Sequence, residues 1–264
     1  MTQQSSYSKR KMLRAGAVMF GLLAAALAFG QIQKARIYQD DYPLIMETDL
    51  YCSFFVLEEA LPDIRIIGAE RGEEKSLFSD ADIMTIDGGQ ASGVVVGQVF
   101  QVLEAGPEIQ GLGPLMYRRG RARVILVDEK TSLVRAEKTC FPMSVGGYIV
   151  PFVERETVIG RNLGFDAHAD DAAGASGRIV FTIDDLNIIR DGSWALIDVG
   201  RDAGVEPGIQ MTVFRETGAG KPREAVGNVV VIDAGARSAT IKVLSSRDAV
   251  HMGDLVQAKS SPLS

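Results

Sequence analysis

One pattern occurs twice in the chain. Asp198-Val199-Gly200, Ala203-Gly204-Val205-Glu206-Pro207-Gly208 and Gly253-Asp254-Leu255-Val256 follow one another in the C-terminal half. Upstream lie Asp87-Gly88-Gly89, Ser92-Gly93-Val94-Val95-Val96-Gly97 and Gly146-Gly147-Tyr148-Ile149-Val150. The offset is 111 residues from Asp87, Gly93 and Gly97 to Asp198, Gly204 and Gly208, and 107 residues from Gly120, Val134 and Gly146 to Gly227, Ile241 and Gly253. Two blocks in constant phase, separated by one change of loop length, mark an internal repeat. Between the glycines, apolar residues recur at every second position, as in Ile209, Met211 and Val213 or Ala239, Ile241 and Val243. That is the period of strands with one face on a core. Short strands at even spacing with glycine turns build small barrels or sandwiches. The expected fold is all-β: two tandem, six-stranded, barrel-like domains of SH3 or OB type, after an N-terminal signal segment.

Residues 1–30 stand outside the repeat. Lys9, Arg10, Lys11 and Arg14 form a basic stretch without acids, and Ala15 to Phe29 is apolar and uncharged. Ala28 and Gly30 then place a signal-peptidase cut before Gln31, with Ala26 and Ala28 as a second possibility. An uncleaved anchor is the alternative, although the run is short against the ~17–25 residues of a membrane span. The expected location is the periplasm or cell envelope, with inner-membrane attachment facing the periplasm as the alternative. Cleavage takes the formal charge from −6 to −10 (−6 − 4). An acidic chain is repelled by nucleic acid and by anionic membrane surfaces. Nucleic acid is therefore not an expected partner, and membrane contact is expected only through an uncleaved signal segment.

Residues 31–50 read as an extended lead-in, 51–153 as the first repeat, 154–176 as a linker, 177–259 as the second repeat and 260–264 as a tail. The first repeat is expected to begin with a strand at Tyr51–Leu57. Residues 58–75 read as a loop with a short strand at 64–67. Residues 105–119, with three glycines and two prolines, read as a long loop. Helix signals are nearly absent. The two cysteines, Cys52 and Cys140, both belong to the first copy and its lead-in. An even number in an exported chain points to one disulfide; two buried thiols are the alternative. The strand at Tyr51 and the segment at Cys140 are expected to meet at the barrel seam. In the second copy Arg247 takes the place of Cys140, and Arg178 stands near that of Cys52.

The run Leu196-Ile197-Asp198-Val199-Gly200, Ala203 to Gly208, Thr212-Val213-Phe214, Gly227-Asn228-Val229-Val230-Val231 and Gly253 to Val256 resembles the C-terminal domain of flagellar assembly protein T. It is also similar to the β-repeats found beside LysM peptidoglycan-binding domains in exported bacterial proteins. The resemblance covers both copies and is stronger in the second. It rests on turn residues, Asp87, Gly89, Gly93, Gly97, Asp198, Gly200, Gly204, Gly208 and Gly253, with apolar strands between. Such residues specify a fold and not a chemistry. The resemblance implies a structural or interaction module of the envelope without catalytic residues.

Each chemical motif has a plainer explanation. One Asp-x-Gly per half is superficially the plan of an aspartic protease, which needs two carboxylates sharing a proton, yet the usual Ser or Thr is missing after Asp87-Gly88-Gly89 and Asp198-Val199-Gly200. A turn, with the carboxylate accepting backbone N–H groups, accounts for both. Gly218-Ala219-Gly220-Lys221-Pro222 lacks the spacing and hydroxyl of a phosphate loop. His168 beside Asp166, Asp170 and Asp171 reads as a solvated acidic linker, and His251 with Arg247 and Asp248 has no nucleophile close in sequence. No cofactor fingerprint or metal set is expected. The local basic run Arg118, Arg119, Arg121 and Arg123 is the candidate partner surface, with Arg121 and Arg123 on one outer strand face. The expectation is a non-catalytic structural or adaptor protein that binds other envelope proteins, in an assembly such as a flagellar or secretion apparatus. A peptidoglycan- or glycan-binding module is the alternative, and a hydrolase with an unrecognised site the third reading.

Overall fold

Strand periodicity and turn glycines determine most of the architecture. The computed structural model describes residues 41–72, 74–165, 172–183, 187–218 and 222–259; the signal-like segment and the tail lie outside these. The N-terminal half holds β1 (Tyr42–Pro43), α1 (Glu47–Cys52), β2 (Phe54–Val56), β3 (Ile66–Ala69), β4 (Leu77–Phe78), β5 (Ile83–Ile86), β6 (Val99–Ile109), β7 (Gly113–Val127), β8 (Ser132–Thr139), β9 (Met143–Ser144), β10 (Tyr148–Pro151) and β11 (Ile159–Gly160). The C-terminal half holds β12 (Ala172–Thr182), β13 (Ile188–Ile189), β14 (Trp194–Ile197), β15 (Gln210–Arg215), β16 (Glu224–Ala234), β17 (Ala239–Ser246), β18 (Val250–His251) and β19 (Leu255–Lys259).

The fold is all-β, and its C-terminal half is a closed six-stranded barrel in the order β12-β14-β17-β16-β15-β19. The N-terminal sheet has the matching order β3-β5-β8-β7-β6-β10, with β2 added on β7. Its first and last strands also meet. Ile66 N–H donates to Gly147 O at 2.9 Å and Gly146 N–H to Ile66 O at 2.8 Å. In the second copy Gly253 N–H donates to Ile179 O at 2.8 Å.

The repeated turn residues do the same work in both copies. Asp87 Oδ1 accepts the Arg65 N–H at 2.6 Å, and Asp198 Oδ1 accepts the Arg178 N–H at 2.6 Å. Arg178 is thus the counterpart of Arg65, not of a residue near Cys52. Gly93 and Gly204 end short 3₁₀ turns with φ of 77° and 80°, and Gly97, Gly208, Gly146 and Gly253 also have positive φ. L-residues with a Cβ rarely adopt that region. Gly89 and Gly200 are required for a different reason. A Cβ there would lie 2.5 Å from Asp128 O and 2.4 Å from Gly235 O.

Four expectations are corrected. Residues 105–119 are not a loop: β6 and β7 continue as a two-stranded arm, with Ala105 opposite Met116 and Ile109 opposite Gly113. The strand expected from Tyr51 begins at Phe54, and Glu47–Cys52 is helical. Asp49 holds the start of that helix by accepting the Met46 N–H at 2.8 Å, an N-terminal cap placed inside a short polar run. The linker is shorter than 154–176. β12 begins at Ala172, and β11 pairs with β1 through Tyr42–Gly160 and Pro43–Ile159. Leu163 N–H donates to Gln210 Oε1 at 2.9 Å, which ties this stretch to the C-terminal barrel. Finally, Cys52 and Cys140 are bridged, with Cα atoms 5.4 Å apart, but not across the seam. The seam is β3–β10, whereas the bridge fastens the end of α1 to the segment after β8.

Each sheet encloses a cluster of its own, around Ile197, Val213 and Ile241 in one and Phe100, Val124 and Val134 in the other. Two further clusters are shared. Phe54, Val56 and Leu115 pack with Phe181 and Leu196, while Leu44, Ile45 and Leu50 pack with Val230 and Ile232. The described residues accordingly form one compact unit. The disulfide closes a loop of 88 residues and holds α1 in this arrangement. Cys140→Ser, or reduction of the wild type, is expected to lower the unfolding free energy by about 2–4 kcal/mol. Urea unfolding with and without dithiothreitol measures it; unchanged midpoints would show that α1 is held without the bond.

Candidate functional site

The contact between the two halves is where charged side chains leave the surface. α1 carries Asp49 onto the outer face of the C-terminal barrel. There Asp49 Oδ2 accepts Lys242 Nζ at 2.6 Å and Oδ1 accepts Trp194 Nε1 at 2.9 Å. Asp49 is 3% exposed and Lys242 9%. Lys242 also donates to Leu44 O at 3.4 Å. A buried ion pair of this type contributes little net stability when intact, but removing one partner leaves an uncompensated charge.

A second charged cluster lies beside β2. Arg118 is 4% exposed. Its Nη1 donates to Ser53 Oγ at 3.2 Å and to Phe54 O at 3.3 Å, and its Nη2 donates to Asp233 Oδ2 on β16. Arg155 Nη1 reaches the same oxygen at 2.9 Å. The Arg118 guanidinium stacks over Phe55 at 4.4 Å. Burial pushes Arg118 down to about 10 despite the attraction of Asp233, and the neighbouring charge of Arg155 adds to the fall; it remains a cation at neutral pH. Burial alone would raise the Asp233 carboxyl, but Arg118 and Arg155 outweigh it and hold the group below its ordinary value. These side chains line a cavity of about 430 Å³ between the sheets, walled by Phe55, Leu57, Leu103 and Leu196.

The basic run expected to form a partner surface is divided by the fold. Arg118 is not on the surface at all, because β2 covers β7 at that point, with Phe54 opposite Tyr117. Arg119 Nε donates to Glu104 at 2.9 Å. Arg121 and Arg123 do share the outer face, but both lie against Glu137, and Arg121 also approaches Glu47 at 3.5 Å. The run therefore presents paired charges. The arm of residues 105–117 faces inward as well: Leu112 and Tyr117 pack against the cluster containing Phe181.

The other motifs are engaged in turns and rims. Asp87 and Asp198 each accept a backbone N–H, as described above. Arg247 pairs with Glu224, and Asp248 with Arg215 at 3.0 Å. Asp166, His168, Asp170, Asp171 and the Ala219–Lys221 segment lie outside the described residues. Among the described residues, no helix is long and apolar enough to cross a membrane.

Sequence reasoning missed Asp49, Lys242, Trp194, Arg155 and Asp233. One signal was available. Val229, Val230, Val231 and Ile232 form a continuous apolar run, which marks a strand buried on both faces rather than one. Something must then cover the outer face of β16. No family model matches the chain, and no curated protein matches it.

Two outcomes test this site. Asp49→Asn is expected to cost about 3–5 kcal/mol, and adding Lys242→Met to recover a large part of that loss. A double-mutant cycle by urea denaturation, followed by Trp194 fluorescence, measures the coupling; simple additivity would remove the pair from the account. Asp233 has a depressed folded-state pKa. Its contribution to stability is therefore complete above the unfolded carboxylate value of about 3.9 and is lost as pH falls through the lower folded value. Asp233→Asn should abolish that part of the acid limb in urea midpoints taken between about pH 2 and pH 6. An unaltered acid limb in the variant would assign the loss to other carboxylates.

Proposed function

We propose that the chain is an exported, non-catalytic structural or adaptor protein of the bacterial cell envelope, built from two tandem barrel domains and acting through contacts with other envelope proteins. One observation carries this reading. The disulfide at Cys52 and the buried pair at Asp49 lie on one helical turn and fasten it to opposite halves of the chain. Such an arrangement holds two β-units in a fixed relation. It also depends on a covalent bond that persists in an oxidising compartment and is rare where thiols are kept reduced, which agrees with the signal-like N-terminal segment. The two Asp-x-Gly aspartates are occupied by backbone donors of their own copies, which favours turn formation over shared-proton chemistry.

The reading predicts a location and a kind of partner. Expressed with its own N-terminal segment and a C-terminal tag, the full chain should appear in the periplasmic or envelope fraction with both cysteines protected from alkylation. Cross-linking there should capture a protein, and the purified chain should not sediment with isolated sacculi. Retention in the cytoplasm with free thiols would overturn export. Saturable sedimentation with sacculi would replace the adaptor reading with a glycan-binding one.

A further inference from the structure

At the inner end of the cleft between the sheets, two arginines meet one carboxylate, although Glu58, Glu59 and Arg201 bring the charges of the whole lining into balance. Arg118 and Arg155 converge on one oxygen of Asp233, so the three side chains carry a net charge of +1 at the inner end. The remaining charges on the walls, Glu58, Glu59 and Arg201, are exposed and screened by water. Glu58 is also engaged, accepting the Ala236 N–H. The two arginines differ in access. Arg118 is enclosed, whereas the Arg155 side chain is 35% exposed and also borders a second cavity of about 180 Å³. The Arg155 backbone is fixed independently, since its N–H donates to Tyr51 Oη at 2.8 Å. Its side chain makes one hydrogen bond among the described residues, through Nη1. The side chain lines both cavities and also a third, bordered by Glu47, Glu154 and Glu156.

We propose that this cleft is a binding site for a monoanionic carboxylate with an apolar body. Each part of that description follows from the walls. A planar guanidinium fork matches a carboxylate with two parallel hydrogen bonds. One negative charge balances the net charge of the cluster, whose excess cation is the half-exposed Arg155. Phe55 and Leu57, both half-buried, offer apolar surface to the body of the ligand, backed by the buried Leu103 and Leu196, and this surface disfavours strongly hydrated dianions such as phosphate. The volume lies in the range of small-molecule sites. A free aliphatic acid and the C-terminal carboxylate of a peptide share this chemistry. The inference does not depend on the adaptor reading, because it concerns the cleft in the purified chain.

The test uses the full mature chain and two probes, hexanoate and acetyl-Ala-Leu as the free acid, with hexanamide, the peptide amide and inorganic phosphate as controls. Calorimetry gives affinities, and the Arg155 Nε resonance reports the place. At least one acid is expected to bind saturably and shift Arg155, while the amides and phosphate do not. Arg155→Gln should weaken binding by about tenfold or more. Asp233→Asn removes the carboxylate that competes for both guanidiniums, so it should tighten binding by about tenfold; a purely structural role for the cluster would not produce that sign. If Asp233→Asn fails to fold, Arg155→Gln still decides. Preference for the peptide acid assigns the ligand to a chain terminus, preference for hexanoate to a free acid, and equal affinity to the carboxylate alone; all three uphold the site. No saturable binding of either acid up to about 10 mM, equal binding of the amides, or an undiminished affinity in Arg155→Gln would overturn it.

Discussion

Asp49 is the residue on which the arrangement of the two halves depends. Its carboxylate is almost fully withdrawn from water, and it accepts three donors: the Met46 N–H, the Lys242 ammonium and the Trp194 indole. A carboxylate buried to that degree is tolerated only when paired and hydrogen-bonded. The three donors come from α1's own start, from β17 and from β14, so satisfying the charge also seats the helix on the C-terminal barrel. Within one helical turn of Asp49, Cys52 fastens the end of the same helix to Cys140, just after β8 of the N-terminal sheet. One six-residue element thereby carries both an electrostatic and a covalent tie.

The cleft is a consequence of that seating. β2 follows α1 directly and lies between the sheets, pairing with β7 and offering the Phe54 carbonyl to Thr240 Oγ1 at 2.6 Å. Its position encloses Arg118 and brings Asp233 within reach of two guanidiniums. The same strand provides Phe55 as the surface over which Arg118 lies. Charge in the cleft is therefore not a surface property of a basic run. It is produced by covering one member of that run and leaving Arg155 partly open.

The duplication makes the asymmetry between copies informative. The turn aspartates, the positive-φ glycines and the six-strand order recur, so the common frame is satisfied twice by equivalent interactions. Among the described residues, the N-terminal copy alone takes an added strand and a disulfide. At Gly120 β7 passes from β8 to β2, and a Cβ there would meet Lys138 O at 2.1 Å. A bulge at such a point lets one long strand serve two neighbours. The extended arm beyond it is the part of the repeat that became contact surface.

Local pattern was enough to read the all-β class, the repeat, the turn glycines and the cysteine pair, because period-two apolar residues and left-handed turns are properties of a few neighbouring residues. The position of the bridge was not legible: Tyr51 and Cys52 carry strand-forming composition, whereas the segment is a helix capped by Asp49 and packed on Val230 and Ile232 of β16. The inward fate of Arg118 was equally hidden. Strand alternation assigns a residue to one of two faces, but whether an outer face meets water is decided by what the rest of the chain lays over it. The sequence by itself determined the frame of each copy, through backbone geometry and alternation. Tertiary structure alone decided how the copies are joined and where the buried charges converge, since those depend on side chains more than a hundred residues apart, such as Asp49 with Lys242 and Arg118 with Asp233.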